Sequence, residues 1–394
     1  MKMWKKVLSI TLVAAMLVTL LAGCGSSGSN DGDADNSNPG AGNTVNVGDN
    51  GFTPQNKYKI GYNYFGPGSY ALTTLANNTD YVVKCFGSDT QSTSDDFQVD
   101  KIVQDIENMI SAGCDGLVIW LPADNLYQTV INMCNEKKVP FVFSDKVPSD
   151  PAIIEACQNS EYFAGAVGPA NAEYGSLIAQ YALDKGYKSC IISTGAQGDP
   201  TDTPRIDAFT QTFEAGGGKV EQVVYTDSQD NIQPFTENAL VAYPNVDFVY
   251  GTGSDMGIGS ADAIMNQGLS ATVLTSGLDT AILGYLVDEN NPVEFVNGDY
   301  WISGLMATVA LMNYLDGHPL KDASGNIVFI DDIMPFQITP DTYDQFVATF
   351  INSNCYSAAE IQAMNGLYNP DFNYDAFRKV IDNYSLAERA AAAK

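Results

Sequence analysis

A chain of 394 residues is longer than one ordinary hydrophobic core requires, which predicts two lobes. Its 47 acidic residues against 19 basic ones give a formal charge of −28, which excludes nucleic acid as a partner and charge-driven binding to anionic lipid. The seven cysteines form no CxxC or Cys/His cluster, so no structural metal and no cofactor are expected.

The chain opens on a processing segment. Lys2, Lys5 and Lys6 form a basic start, and an apolar run follows from Val7 to Leu21. Leu21-Ala22-Gly23-Cys24 resembles the lipobox of bacterial lipoproteins. That resemblance implies that residues 1–23 are a signal peptide. It also implies that Cys24 carries a lipid, which holds the protein on the outer face of the cytoplasmic membrane. No later apolar run is long enough to span a bilayer, so contact with the membrane is expected through that anchor alone. Residues 24–57 are rich in Gly, Ser, Asn and Asp and read as a flexible linker. Asp31, Asp33 and Asp35 alternate as in a calcium loop, but the Gly and Glu that would complete it are missing.

A first ladder of strands and helices begins at Tyr58. Lys59 to Tyr62 is a predicted strand, followed by an aromatic loop holding Tyr64, Phe65 and Tyr70. A short helix is predicted over 71–76 and a strand over 81–85. The next helix carries Ile102, Val103, Ile106, Met109 and Ile110 on one face and stops at Gly113. Leu117 to Trp120 reads as a buried strand, 126–131 as a helix, and Val139 to Phe143 as a strand ending at Asp145.

A second ladder repeats the plan. A helix from Tyr174 to Leu183 leads to the strand Cys190 to Ser193. A loop then leads to a helix with Ile206, Phe209 and Phe213. Later come the strand Val246 to Tyr250, the turn Gly251-Thr252-Gly253, a helix opening at Ser254 and Asp255, and the strand Thr272 to Leu274. Asp279 lies just past that strand. Strands alternating with helices through short loops imply parallel sheets with right-handed crossovers. In open α/β sheets ligands bind outside the carboxyl ends of the strands, where Asp145, Asp255 and Asp279 all fall. Beyond the strand Val293 to Val296, a loop with Asp299 and Trp301 leads to another helix, and Ile327 to Ile330 is one more strand. Thr339 caps a further helix with Pro340 at its first position, and helices are expected near 357–365 and 374–389.

Several marks, in this order and spacing, resemble the type I solute-binding proteins of the sugar-binding, ribose-type group. They are Gly113-Cys114-Asp115-Gly116-Leu117-Val118-Ile119 with Pro122-Ala123-Asp124, Val139-Pro140-Phe141-Val142-Phe143-Ser144-Asp145, Arg205-Ile206-Asp207-Ala208-Phe209, Ser254-Asp255, Gly277-Leu278-Asp279 and Gly304. The resemblance covers roughly Tyr58 to Ile330. It implies an α/β fold of two doubly wound parallel-sheet lobes joined by a three-crossover hinge, with crossovers near Gly168, Gly298 and 321–326. Residues 58–168 plus 298–325 would form lobe one and 169–297 plus 326–338 lobe two. Residues 339–394 would be a helical C-terminal extension. The function implied is delivery of a sugar or similar polyol to the permease of an ABC importer by a monomeric, non-enzymatic lipoprotein. By the same resemblance Asp145, Arg205, Ser254, Asp255, Asp279 and Asp299 face the ligand. The departures are Leu121 where a polar residue is usual, Trp120 before it, and the moved aromatics of the first loop.

The residue chemistry agrees on its own terms. Carboxylates accept from hydroxyls, a guanidinium donates as a planar fork, and Tyr64, Phe65, Tyr70 and Trp120 offer rings for an apolar sugar face. Arg205 is the first arginine in the chain. Asp255 could equally cap its helix, and Trp120 and Trp301 could simply be core. Three other functions compete. A signalling receptor could be fed by the same kind of protein. A dinucleotide enzyme is suggested by Gly251, Gly253 and Gly257, but the third glycine is a residue late. A hydrolase would need a base, and the lone His318 sits in a Gly-His-Pro turn. Cys85, Cys114, Cys134, Cys157, Cys190 and Cys355 read as small apolar core residues rather than disulfides.

Overall fold

The computed structural model describes residues 51–392 apart from Phe65, Pro67, Gly68, Phe97 and Asp227. The expected signal peptide, Cys24 and most of the linker lie outside the described residues, as does Phe65. The first half alternates β1 (Lys59–Tyr64), α1 (Tyr70–Cys85), β2 (Asp89–Ser94), α2 (Val99–Ser111), β3 (Gly116–Ile119), α3 (Tyr127–Lys137), β4 (Phe141–Ser144), α4 (Pro151–Gln158) and β5 (Phe163–Pro169). The second half continues with α5 (Asn171–Lys185), β6 (Ser189–Thr194), α6 (Asp202–Ala215), β7 (Lys219–Tyr225), α7 (Gln229–Ala242), β8 (Phe248–Gly251), α8 (Ser254–Gln267), β9 (Thr272–Ser276), α9 (Thr280–Val287) and β10 (Val293–Gly298). Last come α10 (Ile302–Leu315), β11 (Phe329–Ile333), β12 (Phe336–Ile338) and the short helices α11 (Tyr343–Phe346), α12 (Ala358–Ala363), α13 (Tyr374–Asp382) and α14 (Leu386–Ala392).

Two six-stranded sheets result, in the orders β2-β1-β3-β4-β5-β11 and β7-β6-β8-β9-β10-β12. The central strands are buried on both faces, as runs such as FVF of β4 and FVY of β8 require. Helices cover both sides, so the expected pair of doubly wound α/β lobes is present. Within the first lobe α2 buries Ile102, Ile106 and Met109 completely, each worth roughly 1.5–3 kcal/mol relative to exposure. The chain passes between sheets at Ala170, across Asp299 to Trp301, and at Met334–Pro335.

Three readings need correction. Residues 81–85 are not a strand: they finish α1, where Val82, Val83 and Cys85 extend the buried face begun by Leu72 and Leu75. The strand is β2, DTQSTS, an edge strand whose largely polar, half-exposed sequence carries no apolar signal. β11 pairs in parallel with β5, so residues 329–333 belong to the first sheet rather than to lobe two. The third crossover is accordingly at Met334–Pro335. Residues 321–326 instead make a tight turn, closed by the Lys321–Ile327 bridge and by Asp322 accepting from Ser324 and Asn326. The five cysteines at 85, 114, 134, 157 and 190 are buried free thiols, and Cys355 is half-buried and free.

The C-terminal extension packs against the hinge and lobe one. Tyr300, Phe336, Phe346, Phe350 and Tyr384 form one aromatic cluster across the second and third crossovers. Gln362 donates to the Cys85 carbonyl and Asn313 to the Met364 carbonyl, which fixes the extension to α1 and α10.

Candidate functional site

The carboxyl ends of β1, β3 and β4 form one wall of a cleft. The buried Asn63 side chain joins the first two: its amide donates to the Trp120 carbonyl and to Asp95, each at 2.9 Å, and its oxygen accepts the Trp120 N–H at 3.0 Å. That bidentate grip sets the Trp120 ring, whose Nε1 donates to Asp145 Oδ2 at 3.1 Å. Asp145 follows β4 in the left-handed region, with φ of 68°, so its backbone turns sharply where the strand ends. Its other oxygen accepts from the Ser303 hydroxyl at 3.3 Å, at the start of α10. Tyr64 closes β1. Tyr70 opens α1 with its hydroxyl 3.1 Å from that of Tyr300 and its ring 5.7 Å from Trp301.

The second wall is built around Arg205, in the first turn of α6. Nε and Nη2 donate to Asn171 Oδ1 at 3.1 and 2.9 Å, and Nη1 donates to the Thr252 carbonyl at 2.8 Å. The guanidinium lies 4.2 Å over the Tyr174 ring. Only a glycine allows this geometry at 175, because a Cβ there would lie 1.9 Å from the Arg205 carbonyl oxygen. Among the described residues no carboxylate pairs with the guanidinium. Its remaining N–H groups are therefore unmatched by charge, in an orientation already fixed.

Tyr174 also reaches the hinge. Its hydroxyl donates to Asp299 Oδ1 at 2.9 Å and accepts the Asp299 N–H at 3.0 Å. The Trp301 N–H donates to the same carboxylate oxygen, while Asp299 Oδ2 is buried without a hydrogen-bond partner among the described residues. Burial, and then the nearby Asp145 charge, push the Asp299 carboxyl up to about 6, against the opposing pull of Tyr174, the Trp301 N–H and Arg205. Asp145, Arg205 and Asp299 thus share one electrostatic neighbourhood, although they come from different segments.

The remaining expected residues are placed differently. Asp279 caps α9, accepting the Ile282 N–H at 2.8 Å; burial raises its pKa, and its charge is felt at Tyr70 across the cleft. Ser254 opens α8 against Gly277, where a Cβ would collide with its hydroxyl. Asp255 is exposed, and its carboxylate accepts from Gln229 of α7, so it is not held with the Asp145–Arg205–Asp299 group. The sequence reading missed Asn171, Tyr174, Ser303 and Lys146. Asn171 and Tyr174 are spaced one helical turn apart, a signal that was lost by starting that helix at Tyr174. Lys146 lies 5.1 Å over the Trp120 ring and 3.9 Å from Asp199 of the facing loop, an ion pair across the mouth of the cleft.

Two sheets of one strand order, with polar groups converging at their carboxyl ends, frame the comparisons with known proteins. A family model described as a periplasmic binding protein domain matches residues 71–319. The chain belongs to the periplasmic binding protein family. A Bifidobacterium longum protein named fructose import binding protein FruE is 24% identical over 334 residues, covering 82% of this chain and 92% of that one. The substrate-binding protein of a sugar ABC transport system from Bordetella parapertussis superposes with a TM-score of 0.65 at 15% identity, covering 77% of this chain and 96% of that one. A carbohydrate transporter from Acidothermus cellulolyticus in complex with myo-inositol gives 0.62 at 18% identity, covering 75% and 99%. At these identities the structures speak for the fold. As a periplasmic binding protein the chain is of an extracytoplasmic, ligand-binding kind, and the proteins it resembles are solute-binding proteins rather than enzymes.

Proposed function

We propose that this protein binds a hydroxylated small molecule, a sugar or similar polyol, between its lobes and delivers it to the permease of an ABC importer. The observation that carries the reading is Arg205. A guanidinium oriented by Asn171, Thr252 and Tyr174, with no carboxylate paired to it among the described residues, stands near the strand ends together with the acceptors Asp145 and Asp299. A cis or trans diol matches such an array, because each hydroxyl donates to a carboxylate while accepting from the fork. The names of the relatives, a fructose import binding protein and a complex with myo-inositol, support the ligand class. The test is a thermal-shift screen against sugars and polyols, followed by calorimetric titration, since a ligand that binds only the folded state raises its melting temperature. The expected result is a saturable shift with at least one of them, and ligand recovered chemically unchanged. No shift with any would end the reading.

The same proposal places the protein at the membrane through a lipid on Cys24. Cys24→Ala is expected to move the protein from the membrane fraction to the soluble one. A wild-type protein already wholly soluble, with no lipid on its N-terminus, would remove the anchor.

A further inference from the structure

We propose that Asp95 is a positioning residue that shares a proton with Asp105 and, through Asn63, holds Trp120 in place, so that ligand binding weakens when the proton leaves. The effect on ligand rests on the sugar reading above; the shared proton does not. Asp95 lies between β2 and α2 and is fully buried. Its N–H donates to the Tyr64 carbonyl at 3.0 Å, and its carbonyl accepts the Gln98 N–H at 2.8 Å. Of its carboxyl oxygens, Oδ2 accepts from Asn63 at 2.9 Å. Oδ1 is buried with no hydrogen-bond partner among the described residues, and so is Asp105 Oδ2 of α2. The two side chains are within hydrogen-bonding reach of each other. Ionised carboxylates only accept, so two of them leave both oxygens unmet. A proton on Asp95 Oδ1, donated to Asp105 Oδ2, meets both, as like acids in contact hold one proton between them.

The surrounding charges place the proton on Asp95. Lys101 Nζ lies 4.0 Å from Asp105 Oδ2, and the Asp105 side chain is 14% exposed, so Asp105 is the better seat for the charge. The same ammonium donates to Asp96 at 2.7 Å and to the Ser94 carbonyl at 3.2 Å, which keeps it off Asp95. Burial pushes the Asp95 carboxyl up to about 7, with Asp105 adding to the rise and Asn63 and Lys101 opposing it. The other oxygen of that carboxyl carries the consequence. Asn63 donates to Asp95 Oδ2 and to the Trp120 carbonyl, and accepts the Trp120 N–H. Trp120 in turn donates to Asp145. Once the proton leaves, two like charges face each other in the core, and Asp95 must shift or take in water. Either disturbs the Asn63 grip and, through Trp120, the donor to Asp145.

The test compares full-length wild type with Asp95→Asn, whose amide donates to Asp105 and accepts from Asn63 at every pH. Infrared difference spectra between about pH 5.5 and about pH 8.5 should show one more protonated carboxyl in wild type than in the variant. Tryptophan fluorescence should change over the same range in wild type by more than in the variant, since Asp299 titrates near Trp301 in both. At about pH 8.5 the variant should melt no lower than wild type, because an acid with a raised value loses its stabilising contribution as pH climbs through that value. With a sugar found in the screen, wild-type affinity should fall about fivefold or more over that range and the variant's by less. Asp105→Asn, whose amide donates to Asp95 Oδ1 instead, should lose the same pH dependence. Equal infrared spectra, with Asp95→Asn melting well below wild type at both pH values, would overturn the shared proton. Equal fluorescence and affinity profiles would overturn the positioning role. If no sugar binds, the sugar reading falls, and the infrared and fluorescence results still decide the proton and the grip on Trp120.

Discussion

The two walls of the cleft are built from the same strand order yet present opposite chemistry. Lobe one offers rings and apolar side chains, Trp120, Tyr70, Leu72 and Leu75, with Asp145 as their charged neighbour. Lobe two offers a guanidinium fixed by three hydrogen bonds and stacked on Tyr174. The sheets differ in step with this at one edge: β11 joins β5 in parallel, whereas β12 joins β10 antiparallel. The lesson is that a repeated scaffold fixes where a site lies, and the loops at the strand ends fix what it recognises.

That contrast can be broken most directly at Arg205. Arg205→Ala should weaken binding of the identified sugar about 30- to 1,000-fold, the equivalent of roughly 2–4 kcal/mol for a buried charge-assisted hydrogen bond, and Arg205→Lys should recover little of it. Calorimetric titration measures this, and an unchanged affinity in the alanine variant would reduce lobe two to scaffolding. Tyr174→Phe keeps the ring under Arg205 but removes the link to Asp299. About a tenfold loss of affinity is expected, with the ligand's pH profile displaced as Asp299 loses a hydrogen bond. A Phe variant that matches wild type at every pH would show that the hinge acid does not influence the clamp.

The pH dependence of stability comes from the same acids. Burial raises Asp299 to about 6 and Asp95, beneath Asn63 and beside Asp105, to about 7. An acid whose folded value lies above its ordinary value near ~3.9 binds protons on folding. Its stabilising contribution is full below that ordinary value and is lost as pH climbs through the raised one. Melting temperature should therefore fall between about pH 4 and pH 7 from these two groups, and Asp299→Asn should flatten the part near 6. Glu294 and Glu360, both lowered, act in the opposite sense, their contribution being lost as pH falls below the ordinary glutamate range. A melting temperature that climbs steadily from pH 5 to 8 in the wild type and equally in Asp299→Asn would contradict the assignment. The smallest effect is expected at the mouth of the cleft. Lys146→Gln removes a partly exposed ion pair with Asp199, worth less than about 1 kcal/mol, and should change affinity only a fewfold and less at high salt. A tenfold change would mean that this pair holds the lobes together.

The fold was legible wherever apolar runs alternate with short turns. FVF, FVY and the α2 face announce themselves by length and period. β2 was not legible because its strand is an edge of Ser, Thr, Gln and Asp, and β5 was missed because FAGAVGP is mostly small residues. The placement of β11 could not be read from its residues: a two-residue crossover at Met334–Pro335 decides it, and pairing partners far apart in sequence leave no local mark. Among the candidate residues, Asp145 was legible as an acid at a strand end, and Arg205 and Asp299 through the resemblance of their segments to the family. Tyr174 and Ser303 were not, because their role depends on two segments meeting 125 and 158 residues apart in sequence.

The hydrogen bond from the Tyr384 hydroxyl to the Asp299 carbonyl has a consequence for how the protein is made. A growing chain is extended from its N-terminus, and both sheets are complete once Ile338 has emerged. The carbonyl at the second crossover stays unmet until residue 384 follows. A chain stopped after Ile338 is expected to hold its sheets but be cut by protease near 299–301, whereas the full-length chain is not. Completion of the second crossover thus waits on a residue that follows both sheets in the chain.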